Sequence, residues 1–257
     1  MKSPGKLNDR NPLGLIPVLF FLVGLILLSF TKLAATPGAI DKERLLNTDD
    51  EGGNWLSLGG NYQQQFYSPL TDINADNVQE LGLAWEYDAS SRIGNISRGL
   101  EATPIVVDGI MYTSGAWGVV YAVHAATGEE IWRWDPPVDA SYNRRTCCDV
   151  VNRGVAVWKG KVYVATIDGF LACFEAGTGK EIWLQDTLTD RSISYAITGA
   201  PQVAGEVVVI GNSGAEFGVR GYITAYDLET GEERWRFFTV PGDPEKGYEH
   251  PEMEMAA

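Results

Sequence analysis

Cysteine, histidine and positive charge are all scarce in this chain. It has three cysteines and two histidines in 257 residues. No Cys-x-x-Cys or Cys-x-x-Cys-His occurs, which excludes a zinc knuckle and a c-type haem attachment within these residues. His124 and His250 are far apart and have no metal-ligand spacing. Lysine and arginine number 20 against 34 acidic residues, a formal net charge of −14. The first 35 residues carry four basic side chains and one acidic, so the remainder stands at −17. A surface that acidic repels a phosphate backbone, and nucleic acid is excluded as a partner. No Gly-rich dinucleotide fingerprint follows a strand-like run. Gly177-Thr-Gly-Lys180 superficially looks like a phosphate-binding loop, but Phe174 and Glu181 stand where Gly and Ser or Thr would be needed.

Long hydrophobic runs are also absent, with one exception. From Leu13 to Phe30 only Ser29 is polar. These eighteen residues read either as a signal-peptide core or as a short membrane-spanning helix, and residues 1–35 are assigned to that role. Small residues at 34–39 offer a cleavage site after Ala35, imperfect because Leu33 holds a position that prefers a small side chain. No cysteine follows the run here, so a lipoprotein is excluded. Basic residues before it keep the N-terminus in the cytoplasm and send residues 36–257 outward, to the periplasm. If uncut, the helix would anchor the chain to the inner membrane.

What is abundant is glycine, at 29 residues, and tryptophan, at 8. Three segments align: Ala122–Trp132, Cys173–Trp183 and Ala225–Trp235. Their Thr-Gly pairs begin at 127, 178 and 230, and a Trp follows each at the same distance. Upstream of each lies an alternating β-branched run (105–113, 155–166, 202–211), with turn signals at Asp108-Gly109, Lys159-Gly160 and Ala204-Gly205. A weaker fourth copy ends at Trp85. Four antiparallel strands recurring about every fifty residues is the pattern of a β-propeller blade. The fold class is therefore all-β, a partial propeller of about four blades following an N-terminal apolar helix.

One cluster stands outside the repeat: Asn143-Arg-Arg-Thr-Cys-Cys-Asp-Val-Val-Asn-Arg153. Its adjacent Cys147 and Cys148 are either two small buried hydrophobes or a strained bridged pair, and strain of that kind collects at functional sites. An exported chain suits the bridged form.

Taken with the repeat, this cluster and four further motifs carry a resemblance: Leu100-Glu-Ala-Thr-Pro104, Asn152-Arg-Gly-Val-Ala-Val157, Ile197-Thr-Gly-Ala-Pro201 and Asn212-Ser-Gly-Ala-Glu-Phe-Gly218. From about Trp55 to Ala257 the chain resembles the quinoprotein alcohol dehydrogenases. These are periplasmic enzymes that bind pyrroloquinoline quinone (PQQ) and Ca2+ on an eight-bladed propeller. The resemblance implies a vicinal disulfide of Cys147 and Cys148 stacked on the quinone, with Glu101 at the cofactor's polar edge. Arg153 would face the quinone and carboxylate oxygens, and Thr198 would donate to a carboxylate. Ser213, Gly214 and Ala215 would bring backbone close to the ring, and Glu216 would ligate calcium. It further implies hydride transfer from a primary alcohol and electron delivery to a periplasmic cytochrome. The Asp general base, the Asn calcium ligand and the covering Trp of the family would come from blades beyond residue 257. No catalytic base is therefore assigned within this chain. The expectation is an N-terminal half that is inactive alone and depends on a missing C-terminal half. The alternative is a non-catalytic periplasmic propeller used as a scaffold, which gives no reason for the cysteine pair.

Overall fold

The computed structural model describes residues 36–93, 99–146 and 149–256. The apolar run and the cysteine pair lie outside the described residues. Within them, twelve strands form three four-stranded antiparallel sheets, each in simple sequence order. Blade A comprises β1 (Ile105–Val107), β2 (Ile110–Ser114), β3 (Val120–His124) and β4 (Glu130–Trp134). Blade B comprises β5 (Ala156–Trp158), β6 (Lys161–Ala165), β7 (Phe170–Glu175) and β8 (Glu181–Asp186). Blade C comprises β9 (Gln202–Ala204), β10 (Val207–Gly211), β11 (Tyr222–Asp227) and β12 (Glu233–Phe238).

The hairpin turns follow the dipeptides that announce them. Asp108-Gly109 and Lys159-Gly160 both take positive φ at both positions, the geometry of a two-residue hairpin turn. In blade C the turn falls one residue later, at Gly205-Glu206, because Ala204 still pairs with Val207.

The three blades are joined by one contact repeated in register. Trp132 of blade A lies over the Thr-Gly turn of blade B, so close that a Cβ on Gly179 would come within 2.6 Å of the indole. Its Nε1 donates to the Ala176 carbonyl at 2.7 Å. Trp183 repeats this on blade C, against Gly231 and the Leu228 carbonyl. Each carbonyl also accepts a hydroxyl from the preceding blade, from Tyr112 and Tyr163 respectively, so both of its lone pairs are used. The glycines are held at φ near +70°, forced on them by the turn, while the indole leaves no room for a side chain. Trp132 and Trp183 are 7% and 9% exposed, whereas Trp235, with no following turn among the described residues, is 47% exposed. Burying such a ring contributes about 1.5–3 kcal/mol.

The same contact explains the weaker fourth copy. Trp85 donates from Nε1 to the Ala125 carbonyl and covers Gly128, as Trp132 covers Gly179. Residues 82–90 nevertheless form no strand, because no third strand lies beside them among the described residues to complete a ladder. The segment 61–83 around them leaves Phe66, Tyr67, Leu81 and Leu83 exposed.

Cys173 finds its role here. In each blade the residue facing the Trp across the outer pair is small: Ala122 opposite Trp132, Cys173 opposite Trp183 and Ala225 opposite Trp235. A bulge follows immediately at all three places. Cys173 is thus a small core residue, fully buried, and burial pushes its thiol up to about 12.

The segment before blade A caps its inner edge. Trp55 pairs with Val106 of β1, and the short helix α1 (Lys42–Leu46) buries Leu45. Arg44 binds Glu51 and Asp108 at 2.6 and 2.9 Å, joining that segment to the first hairpin turn. At the other end α2 (Pro251–Ala256) follows Glu249, which pairs with Arg220 of blade C. Among the described residues no helix is long and apolar enough to cross a membrane.

The repeated contact makes a specific prediction. Gly179→Ala should lower the unfolding free energy by about 2–4 kcal/mol, from left-handed strain plus an overpacked indole. Gly109→Ala, where an added Cβ meets nothing, should cost only the backbone part, about 1–2 kcal/mol. Urea unfolding of the two variants beside the parent chain measures the difference.

Candidate functional site

The three blades enter their innermost strands from the same end. The entering segments are 99–104, 149–155 and 195–201. Pro104 and Pro201 stand immediately before β1 and β9, where a missing N–H costs no ladder bond. Gly154 sits between the other two segments, its α-carbon facing the Thr103 carbonyl and Ala200 at 3.5 Å from a built Cβ. With φ at +133° it holds a conformation closed to L side chains.

This convergence brings together three of the residues singled out from sequence. Arg153 Nη2 pairs with Glu101 Oε2 at 2.9 Å. Arg153 Nη1 donates to Thr198 Oγ1 at 2.6 Å, and the Arg153 backbone N–H donates to the Thr198 carbonyl at 3.0 Å. One residue from each blade therefore meets at a single guanidinium. Arg153 and Glu101 keep 44% of their side-chain surface exposed, so the group is presented to solvent rather than sealed. Thr198 accepts from Arg153 through its hydroxyl oxygen, which leaves its proton available to donate elsewhere.

Ser213 supports the third segment. It exchanges backbone hydrogen bonds with Ala196 at 2.7 and 3.2 Å, and its hydroxyl donates to the Ala196 carbonyl at 3.0 Å. Its proton is thereby used within the fold, and only its lone pairs remain for another group. Gly214 is glycine for packing reasons: a Cβ would lie 2.5 Å from the Ser194 carbonyl. A groove of about 420 Å³ runs along blade C between Thr198 and Ser213, floored by Val209, Ile210 and Ile223. That volume falls in the range of small-molecule clefts, about 300–1,000 Å³.

Ala215 and Glu216 sit on a short 3-10 turn, Ala215–Phe217, and both are exposed. The Glu216 carboxylate has no hydrogen-bond or ion-pair partner among the described residues. No cluster of three or more His, Cys, Asp or Glu that could hold a metal occurs among them. A hard cation takes six to eight oxygens, so Glu216 alone does not make a calcium site. Cys147 and Cys148 lie outside the described residues, and the implied bridge with them.

Two buried residues that sequence reasoning did not single out hold the entering segment of blade B. Trp117, fully buried at φ +67°, donates its backbone N–H to the Val150 carbonyl and packs with Val138, Val150, Ile167 and Ala196. Its signal was the Gly115-Ala-Trp-Gly118 turn. Asn152, 2% exposed, joins blades A and B. Its signal was an Asn two residues before a Gly, the spacing of a side-chain-closed turn.

The donor set suits a flat, polyanionic ring: a guanidinium, a hydroxyl with a free proton, and an apolar groove beside them. Comparisons with known proteins give the family of the chain. The profile of the PQQ family, glucose/ethanol/alcohol dehydrogenase β-propeller domain, matches residues 55–256. The chain belongs to this family. It is 55% identical over 224 residues to quinohemoprotein alcohol dehydrogenase ADH-IIG of Pseudomonas putida, covering 87% of this chain and 30% of that one. The crystal structure of the quinohemoprotein alcohol dehydrogenase from Comamonas testosteroni superposes with a TM-score of 0.81 at 51% identity, over 88% of this chain and 33% of that one. The 1-butanol dehydrogenase (cytochrome c) of Thauera butanivorans is 51% identical over 206 residues, 80% of this chain and 29% of that one. The chain spans about a third of the length of these relatives. The expected all-β propeller architecture and the quinoprotein family are both borne out.

The Glu101–Arg153 pair is half exposed, and such pairs contribute little to stability. Glu101→Gln is expected to change the unfolding free energy by less than about 1 kcal/mol. Urea titration provides the measurement.

Proposed function

We propose that this chain is the cofactor-binding N-terminal portion of a periplasmic alcohol dehydrogenase that uses PQQ and calcium to oxidise primary alcohols. The observation that carries the proposal is the meeting of Glu101, Arg153 and Thr198 at one guanidinium, on a chain whose relatives are quinohemoprotein alcohol dehydrogenases. PQQ, when bound, supplies an electrophilic quinone carbonyl able to accept a hydride. The residues of this chain bind and orient. Arg153 presents a fixed cation to carboxylate and quinone oxygens, which favours the more electron-rich form of the ring. Thr198 offers its hydroxyl proton to a carboxylate. Glu101 holds the guanidinium plane and accepts from a polar edge. Ser213, Gly214 and Ala215 bring the blade C backbone alongside.

Cys147 and Cys148 join the proposal as a vicinal disulfide beneath the ring. Glu216 joins it as one ligand of calcium, the remaining oxygens coming from outside the described residues. The electron acceptor is proposed to be a periplasmic cytochrome, in keeping with the cytochrome c named for the Thauera relative. The proton of the alcohol is proposed to pass to a residue outside this chain, so residues 1–257 should bind without turnover. Residues 1–35 are proposed as the export signal or an inner-membrane anchor.

Cofactor binding, turnover and thiol state test this reading. Titration of the chain with PQQ, followed by tryptophan fluorescence, should saturate, and Arg153→Ala should weaken binding by about tenfold or more, as expected for a lost charged hydrogen bond. No saturation at millimolar PQQ would sink the cofactor assignment and favour a scaffold. A dye-coupled assay with 1-butanol should show no rate for the chain alone. Thiol counting provides the third test. At pH 8 the native chain should resist iodoacetamide at Cys173, whose raised thiol stays protonated below about 12. After denaturation without reductant only Cys173 should label, with Cys147 and Cys148 labelling once reductant is added. Three labels without reductant would eliminate the bridge.

A further inference from the structure

Asn152 is a buried polar side chain that the binding proposal does not use. Its Oδ1 accepts from Ser114 Oγ at 2.6 Å and from the Gly154 backbone N–H at 3.0 Å. Its Nδ2 donates to the Ala165 carbonyl at 2.7 Å. Two donors facing one atom and a carbonyl facing the other fix the amide's orientation. Ser114 ends β2 of blade A and Ala165 ends β6 of blade B, and both are 2% exposed or less. The amide therefore bolts the second strands of two blades together directly beneath the entering segment of blade B.

An apolar side chain of similar volume would leave the Ser114 hydroxyl, the Gly154 N–H and the Ala165 carbonyl without this partner. What the amide adds is geometry. The bond from Oδ1 to the Gly154 N–H closes a turn around Arg153, with Arg153 as its central residue. Gly154 in its left-handed conformation then lets the chain continue into β5. By strand register Asn152 corresponds to Glu101 in blade A and Thr198 in blade C, each four residues before its first strand. In those blades the position faces the site. In blade B it turns inward, and the next residue, Arg153, takes the site-facing place.

We infer that Asn152, held by Ser114, is the positioning residue for Arg153: it sets where the guanidinium stands between Glu101 and Thr198 without touching a ligand. The consequence for cofactor affinity rests on the binding role proposed above. The placement of Arg153 does not.

The test uses the full 257-residue chain in four variants: Asn152→Ala, Ser114→Ala, Ser114→Thr and Val162→Ala. Val162 is buried in β6, away from the entering segments, and serves as a core substitution that lowers stability without reaching Arg153. The ligand-free readout is the rate at which phenylglyoxal modifies Arg153, followed by peptide mass spectrometry under conditions where each variant stays folded. Asn152→Ala should raise that rate about fivefold to tenfold, and Ser114→Ala about twofold to threefold, as expected for loss of three hydrogen bonds or of one. Ser114→Thr, which keeps the hydroxyl, should match the parent, and Val162→Ala should match it too despite a lower Tm. PQQ affinity should fall in the same order. An Arg153 rate unchanged in Ser114→Ala, or raised equally in Val162→Ala, would overturn the inference, and Ser114→Ala decides it should Asn152→Ala fail to fold. A parent chain that binds no PQQ would sink the proposed function, while the modification rates would still decide this placement.

Discussion

The indole of one blade laid on the Thr-Gly turn of the next is the contact on which the rest of the structure depends. A four-stranded blade cannot bury both of its faces alone. The indole supplies apolar area, and its single N–H supplies direction, because only one carbonyl in the neighbouring turn is placed to accept it. Where Trp132 and Trp183 make this contact, the next blade is fixed in both angle and height. The second donor, a Tyr hydroxyl from the same preceding blade, removes the remaining freedom at that carbonyl. Ring position is thus set near the outer edge. Glu101, Arg153 and Thr198 stand at the opposite, inner edge, each just before a first strand.

That separation shapes the site. Glu101, Arg153 and Thr198 belong to three blades and touch only because the blades are held in equivalent register. Each follows from a local rule, namely where its first strand begins. Their meeting is a property of the stack. The ion pair itself is half exposed and adds little to folding, so it is free to be reorganised by a ligand at small cost. The rigid parts lie one layer deeper, in the Asn152 amide, the Trp117 turn and Gly154. A half-exposed charged pair thus stands on a buried, fully hydrogen-bonded base.

The sequence exposed the parts of the fold that depend on strong, local constraints. Asp108-Gly109 and Lys159-Gly160 demand a particular turn, and that turn formed. The Thr-Gly…Trp spacing demands a close approach of backbone and indole, and that approach formed three times, Trp85 included. Where a neighbour decides, the pattern misled or fell silent. The copy ending at Trp85 kept its indole contact but not its strands, since a ladder needs a partner strand and an indole needs only a turn. The blade C hairpin moved by one residue because Ala204 pairs well enough to remain in the strand. Cys173 looked like a lone thiol until register placed it opposite Trp183, where its blade equivalents are alanines.

The site was legible in the same uneven way. Motif resemblance pointed to Glu101, Arg153 and Thr198, and the fold brings them within hydrogen-bonding distance. Ser213 and Gly214 prove to be spent largely on the fold, the serine proton on Ala196 and the glycine on Ser194. Glu216 remains an exposed carboxylate on a short turn, which a single ligand-bearing loop would allow but does not require. Asn152 escaped notice because a polar residue beside an arginine reads as surface, and its partners Ser114 and Ala165 are distant in the chain. Burial reverses that reading. An amide with both ends satisfied in the core has no reason to be there except to hold its neighbours in place, and its neighbour on the solvent side is Arg153.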